Sequence, residues 1–348
     1  MPAVNAASFV PLTSTPNSMI EKAFQVGAAS PEILPAAMPA RTVRFAAMYT
    51  QITRSIDAGA LHERLYAGEI FLFRDLPAMR SLVGFAQELL ERAFHPHAPP
   101  LSHSHLEGER QAQIFAAAGK EFTRSPEVKG LWREFFGSVG LDAQRLARDR
   151  LRLRFQPPLE KERTLSRSVM RSTVPFHRDT WGTNLYAQIN WWAPVYPITE
   201  SRTMALYPAL WDRALRNSSA SYDLQALVKL VAEKGRESVT GEMAVPELLE
   251  SVDPAQAVPV VIEPGSVLVF SSAHAHAGVP NSSGHSRFSL ETRTVWIPDV
   301  RSGHGAPNVD GAARWMAPGF FYRVSDGASL NEILGLQRLE PYEGTPLR

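Results

Sequence analysis

Between residues 184 and 297 the chain is a succession of short segments that fit a β-sheet and little else. NLYAQINWWAPV (184–195), AVPVVI (257–262), SVLVF (266–270) and SRFSLETRTVWI (286–297) are β-branched, aromatic or alternating, and Pro264-Gly265 turns one into the next. LRLRF (151–155) reads as a further strand. Earlier in the chain, EIFLF (69–73) suits a buried strand where ordered structure begins, and Asp75 with Pro77 marks a helix start. Leu82, Phe85, Ala86, Leu89, Leu90 and Ala93 then recur at helical spacing, which predicts a helix over 77–93. A second helix is expected at 222–234, with Leu224, Leu227, Val228 and Val231 on one face and Gly235 as its stop. Short strands following an early helix predict a mainly β fold with flanking helices, an antiparallel sandwich or barrel.

Composition narrows the chemistry. The 348 residues hold no cysteine, which removes disulfides, thiolate zinc sites, iron–sulfur clusters and cysteine nucleophiles together. A bound metal must therefore use His, Asp or Glu. With 36 basic against 35 acidic residues and no basic block, nothing points to nucleic acid. The sequence has no apolar run long enough for a membrane helix and no signal-peptide pattern at its start, so a cytoplasmic protein is expected. Six prolines in the first 40 residues predict a loosely ordered arm over 1–42, followed by one domain over 43–348. Its Gly- and Pro-rich end, from about 299, reads as a lid or a packed tail.

Four of the ten histidines lie in HPHAPPLSHSH (His95, His97, His103, His105), which is metal-capable by composition but reads as a solvated loop, because a flexible tract does not hold ligands in a fixed geometry. VPFHRDTWG is more informative. His177 and Asp179 are two apart and share one side if the segment is a strand, giving two ligands of a facial Fe(II) site. A third ligand must come from a distant strand, and FSSAHAHAGVPNSSGHSRFSL offers His274 and His276 on the same face. Alternation does not choose between them.

These residues resemble the phytanoyl-CoA dioxygenase-like branch of the Fe(II)/2-oxoglutarate-dependent oxygenases. That branch carries HxD and, about a hundred residues later, a histidine with asparagine five positions on and arginine eleven positions on. His276 fits, with Asn281 and Arg287 at those offsets, and His274 does not. The resemblance runs from about Glu69 to Ile297. It implies a double-stranded β-helix (jelly roll), the ligand set His177, Asp179 and His276, and Fe(II), 2-oxoglutarate and O2 as cofactor and co-substrates. The substrate is then a small organic molecule, with succinate and CO2 released. His274 is left as a neighbour of the metal shell or of the substrate. Within that scheme Arg287 can clamp the distal carboxylate of 2-oxoglutarate, and Ser289, on the same side, can add a hydroxyl donor.

In AQINWW the alternation puts Gln188, Asn190 and Trp192 on one face and Ala187, Ile189, Trp191 and Ala193 on the other. The polar set should face the cavity, making Gln188 and Asn190 candidates for contact with 2-oxoglutarate or substrate. Arg152 and Arg154 share the non-apolar face of their strand and either meet an anionic substrate or form a solvated edge. Trp181 is a pocket wall or plain core. A cupin-like metal isomerase or a non-redox binding barrel is the rival reading, against which the His177-Arg178-Asp179 spacing departs from the usual cupin pattern.

Overall fold

A computed structural model describes residues 48–162, 173–234, 245–336 and 345–346. The expected arm over 1–42 and the stop at Gly235 lie outside the described residues. The strands are β1 (Thr50–Ile52), β2 (Phe71–Phe73), β3 (Leu146–Arg148), β4 (Arg152–Gln156), β5 (Gln188–Pro194), β6 (Met204–Leu206), β7 (Val258–Pro259), β8 (Val267–Ser271), β9 (His276–Gly278), β10 (Arg287–Trp296), β11 (Trp315–Met316), β12 (Tyr322–Arg323) and β13 (Thr345–Pro346). The main helices before the site are α1 (Ala58–Tyr66), α2 (Pro77–Phe94), α3 (Gly108–Arg124) and α4 (Pro126–Ser138).

The larger sheet runs β1-β2-β8-β5-β10-β3-β12, and β4 also pairs with β10. Its pairings are antiparallel except for β1 with β2. A smaller antiparallel sheet runs β7-β6-β9. Leu72, Trp192, Leu268 and Phe270 from the larger sheet share one apolar cluster with Met204, Leu206 and Val258 from the smaller, so the two sheets face each other. The architecture is the expected mainly β jelly roll with flanking helices.

Alternation along β5 separates two environments. Ile189, Trp191 and Ala193 join the core formed with α2 and α4. Trp191 is 1% exposed, its ring lies 5.5 Å from that of Phe135 and 5.4 Å from that of Phe136, and its indole N–H reaches Thr294 Oγ1 at 2.8 Å. Truncating such an anchor typically costs about 3–5 kcal/mol. Gln188, Asn190 and Trp192 point the other way, into the space between the sheets, as the pattern predicts.

The predicted helix over 77–93 is α2, which starts with Pro77 at its first position and ends one residue later. The expected second helix is Leu224–Lys234. Three differences stand out. Order begins before Glu69, because β1 and α1 precede it and are too short to show a period. Helices α3 and α4 are not among the expected elements, although Val128, Leu131, Trp132, Phe135 and Phe136 recur at helical spacing and Ser125 followed by Pro126 is a start signal; the Ser125 hydroxyl accepts from Val128 N at 3.3 Å. Of AVPVVI only Val258–Pro259 pairs as a strand, while Val260 and Ile262 still bury in the inter-sheet cluster.

The segment from about 299 is packed down where it is described. Asp310 accepts from the Trp181 indole at 2.7 Å, from Arg178 Nε at 3.1 Å and from Leu215 N at 3.1 Å. Asn184 Nδ2 donates to Ala313 O at 2.8 Å. Among the described residues no helix is long and apolar enough to cross a membrane.

Candidate metal centre

The HxD segment is not a strand. His177 forms a single antiparallel bridge with His276, N–H to carbonyl in both directions at 3.0 and 2.9 Å, and Asp179 already has helical dihedrals at the start of a turn over Thr180–Thr183. The two side chains converge because the chain bends between them, rather than through alternation. The bend sits tightly against β9: a Cβ on Gly278 would lie 2.9 Å from Val174 N, so a side chain there would push the HxD segment away.

His177, Asp179 and His276 offer ligand atoms that all lie within 4.8 Å of one another. Each histidine Nε2 is 3.8 Å from an Asp179 oxygen, His177 from Oδ1 and His276 from Oδ2. The Nδ1 of His177 meets Pro175 O at 2.8 Å, and that of His276 meets His274 O at 3.0 Å. A carbonyl can only accept, so each Nδ1 carries a proton, the tautomer that in a neutral ring turns the Nε2 lone pair inward. Burial first, then the neighbouring His177, pushes His276 down to about 4, so its ring is neutral near pH 7. Burial by itself would raise the Asp179 carboxyl, but its surroundings, the Arg293 guanidinium among them, hold it well below the usual carboxylate range. Two imidazoles and one carboxylate, with side chains 16%, 14% and 12% exposed for His177, Asp179 and His276, are a donor set that suits a divalent transition metal.

His274 takes no part in this cluster. Its Nε2 lies 3.0 Å from Gly68 O, its ring is 4.4 Å from that of Trp211, and burial pushes it down to about 3. Only its backbone carbonyl reaches the cluster, by accepting from the His276 ring.

Asp179 is held on both oxygens by protein donors. Asn190 Nδ2 reaches Oδ2 at 2.6 Å, and Arg293 reaches Oδ1 at 3.2 Å. Behind Asn190 stand Ser272 and then Gln188, so these two polar residues of β5 sit at the back of the carboxylate. Behind Arg293 stands Asp149, which is 1% exposed and also accepts from Arg152 at 2.6 Å and from Thr292 at 3.2 Å.

Arg287 and Ser289 lie farther along β10, on the same inward side as Glu291 and Arg293, and both are buried. The Ser289 hydroxyl has no hydrogen-bond partner among the described residues. Arg154, opposite Ser289 in the register, pairs with Glu291, and both side chains are about a quarter exposed. Asn281 serves the loop before β10. Its Nδ2 donates to His285 O at 2.8 Å and Gln156 O at 3.2 Å, which docks the start of β10 beside β4. Trp181 is fully buried core. In the histidine-rich stretch, His97 and His105 stack at 4.6 Å and His103 is buried, so it is not a uniformly solvated loop.

Sequence reasoning passed over Ser272 and Asp149, and it gave Arg293 no role at the metal. Continuing the alternation from Arg287 and Ser289 reaches Arg293. No pattern marks Ser272 or Asp149.

No protein-family model matches the chain, and no curated protein matches it. Among solved structures, it is similar to the ligand-free non-heme monooxygenase ThoJ, at 17% identity over 68% of this chain and 77% of that one, with a TM-score of 0.37. It is similar to EvdO2 from Micromonospora carbonacea var. aurantiaca complexed with 2-oxoglutarate, at 16% identity over 71% and 94% and a TM-score of 0.38. The epimerase SnoN in complex with Fe3+, alpha ketoglutarate and nogalamycin RO matches at 15% identity over 84% and 97%, with a TM-score of 0.36. Likeness at this level assigns no activity to this chain, whose reading rests on its own residues.

Proposed function

We propose that this chain is an Fe(II)/2-oxoglutarate-dependent oxygenase of the phytanoyl-CoA dioxygenase-like branch, acting in the cytoplasm on a small organic metabolite. One observation carries the reading. Two imidazoles with inward lone pairs and one ionised carboxylate meet on a water-accessible inner wall of a jelly roll.

In this reading His177, Asp179 and His276 would hold the iron through their convergent ligand atoms. When bound, the iron with 2-oxoglutarate and O2 supplies the oxidising power to attack an unactivated C–H bond, releasing succinate and CO2. Pro175 and His274 fix the imidazole tautomers through their carbonyls. Arg287 and Ser289 take the distal carboxylate of 2-oxoglutarate, and the unpartnered, fully buried Ser289 hydroxyl fits that task. Asn190 and Gln188 act on Asp179 from behind instead of on the co-substrate. Hydroxylation is the default outcome for such a site.

The test is anaerobic addition of Fe(II) and 2-oxoglutarate, followed by admission of O2. A weak visible charge-transfer band followed by succinate formation is the expected result. Metal uptake with neither band nor succinate would favour a non-redox metal barrel.

A further inference from the structure

Ser272 sits at the end of β8, at the turn that leads to His274 and His276, and is 0% exposed. Its backbone carbonyl accepts the N–H of Asp179 at 3.1 Å, and its own N–H donates to Gln188 O at 3.0 Å. Its hydroxyl stands between two amides, accepting from Gln188 Nε2 at 2.7 Å and donating to Asn190 Oδ1 at 2.9 Å. Asn190 Nδ2 then donates to Asp179 Oδ2 at 2.6 Å.

The directions in this chain are forced. The Gln188 amide nitrogen can only donate, so the Ser272 oxygen accepts there and its single proton goes to Asn190. With Oδ1 of Asn190 engaged, its amide N–H faces the carboxylate, which can only accept. A flipped Asn190 would set an amide oxygen against an anionic oxygen and point its NH2 at the hydroxyl. Gln188 is also 0% exposed and Asn190 is 7% exposed, so water does not readily replace a missing link.

We propose that Ser272 is a positioning residue for the metal-facing carboxylate: its hydroxyl sets the Asn190 amide, and that amide fixes the rotation of Asp179 toward His177 and His276. The proposal rests on the metal reading above. Arg293 holds the other oxygen, so losing the Asn190 contact frees the carboxylate to swing about a single remaining hold. Partners standing behind metal ligands are typically worth about 10–100-fold in metal affinity.

The test measures Co(II) affinity by calorimetry on the metal-free protein, with no turnover involved. Ser272→Ala should weaken Co(II) binding about tenfold. Asn190→Ala should weaken it by at least as much, and the double variant no more than Asn190→Ala alone, because both act through one contact. Ser271→Ala is the control, since that hydroxyl is equally buried but accepts from Ala273 N at 3.2 Å. It should lower the melting temperature while leaving Co(II) affinity unchanged. Wild-type affinity in Ser272→Ala, or losses that add in the double variant, would overturn the relay. Should Ser272→Ala fail to fold, unchanged affinity in Asn190→Ala overturns it as well. A wild-type chain that takes up no Co(II) overturns the metal reading itself, and the relay with it.

Discussion

Arg293 donates to Asp179 Oδ1 at 3.2 Å and, through Nε, to Asp149 Oδ2 at 2.7 Å. One guanidinium therefore joins the carboxylate that lies between His177 and His276 to a second, buried one. Asp149 also serves Arg152, and burial opposes its ionisation while the two arginines hold its carboxyl below the ordinary value. Replacing Asp149 with Leu would leave both guanidiniums without their shared anion. We expect a loss of about 3–5 kcal/mol of stability, the usual cost of removing one partner from a buried pair. Urea denaturation of the metal-free protein measures it.

His177→Ala, Asp179→Ala and His276→Ala should each abolish retention of a divalent metal. His274→Ala should keep the metal and lose stability, because its ring packs on Trp211. Metal content per chain after desalting, beside melting temperature, separates the two effects. Loss of metal in the His274 variant with retention in the His276 variant would reverse the assignment.

Arg287→Ala should raise the 2-oxoglutarate requirement by orders of magnitude while metal affinity stays the same. Truncating one partner of a buried charge pair costs about 2–5 kcal/mol. Arg287→Lys should recover only part, since an ammonium cannot make the bidentate contact. A titration of succinate formation against 2-oxoglutarate reads this, and unchanged dependence would move the anchor elsewhere on β10.

Asp310→Ala should destabilise the chain by about 3–5 kcal/mol, since it removes the anion that faces the Arg178 guanidinium, which is 2% exposed and otherwise meets only backbone carbonyls among the described residues, and leaves the Trp181 indole N–H without its acceptor. Limited proteolysis should then cut the segment after 299 at a lower protease concentration than in wild type. Equal resistance would mean that this segment is held by its other contacts, the Asn184–Ala313 hydrogen bond among them.

Acid should weaken the metal-free fold before most carboxylates titrate. His274, pushed down to about 3, and His276, pushed down to about 4, are neutral when folded but return toward 6.5 on unfolding. Below about 6.5 the unfolded chain thus binds more protons than the folded one. The stability these rings contribute is complete above that pH and is lost as pH falls toward their folded values. The urea midpoint should drop between pH 7.5 and 5.5, and less so in His274→Phe. A midpoint flat across that interval would contradict it.

How much was legible follows from which interactions are local. Alternation along Gln188–Trp192 and Arg287–Arg293 is a property of the extended backbone, so the sequence sorted inward from outward residues before any fold was known. The spacing from His276 to Asn281 and Arg287 was readable too, and the structure gives Asn281 its purpose in docking the start of β10 on β4. The choice between His274 and His276 was not a matter of periodicity. It turned on a bend after β8 that sends one ring to Gly68 and Trp211 and the other to Asp179. Likewise, His177 and Asp179 meet because a strand bridge gives way to a helical turn, which no repeat of two encodes. Ser272, Asp149 and Asp310 carry no signal in one dimension, because a lone serine or aspartate becomes specific only when distant strands bring its partner within hydrogen-bond reach. Sequence determined the faces and the ligand types; tertiary structure decided which side chains stand behind them, since those contacts join residues more than eighty positions apart.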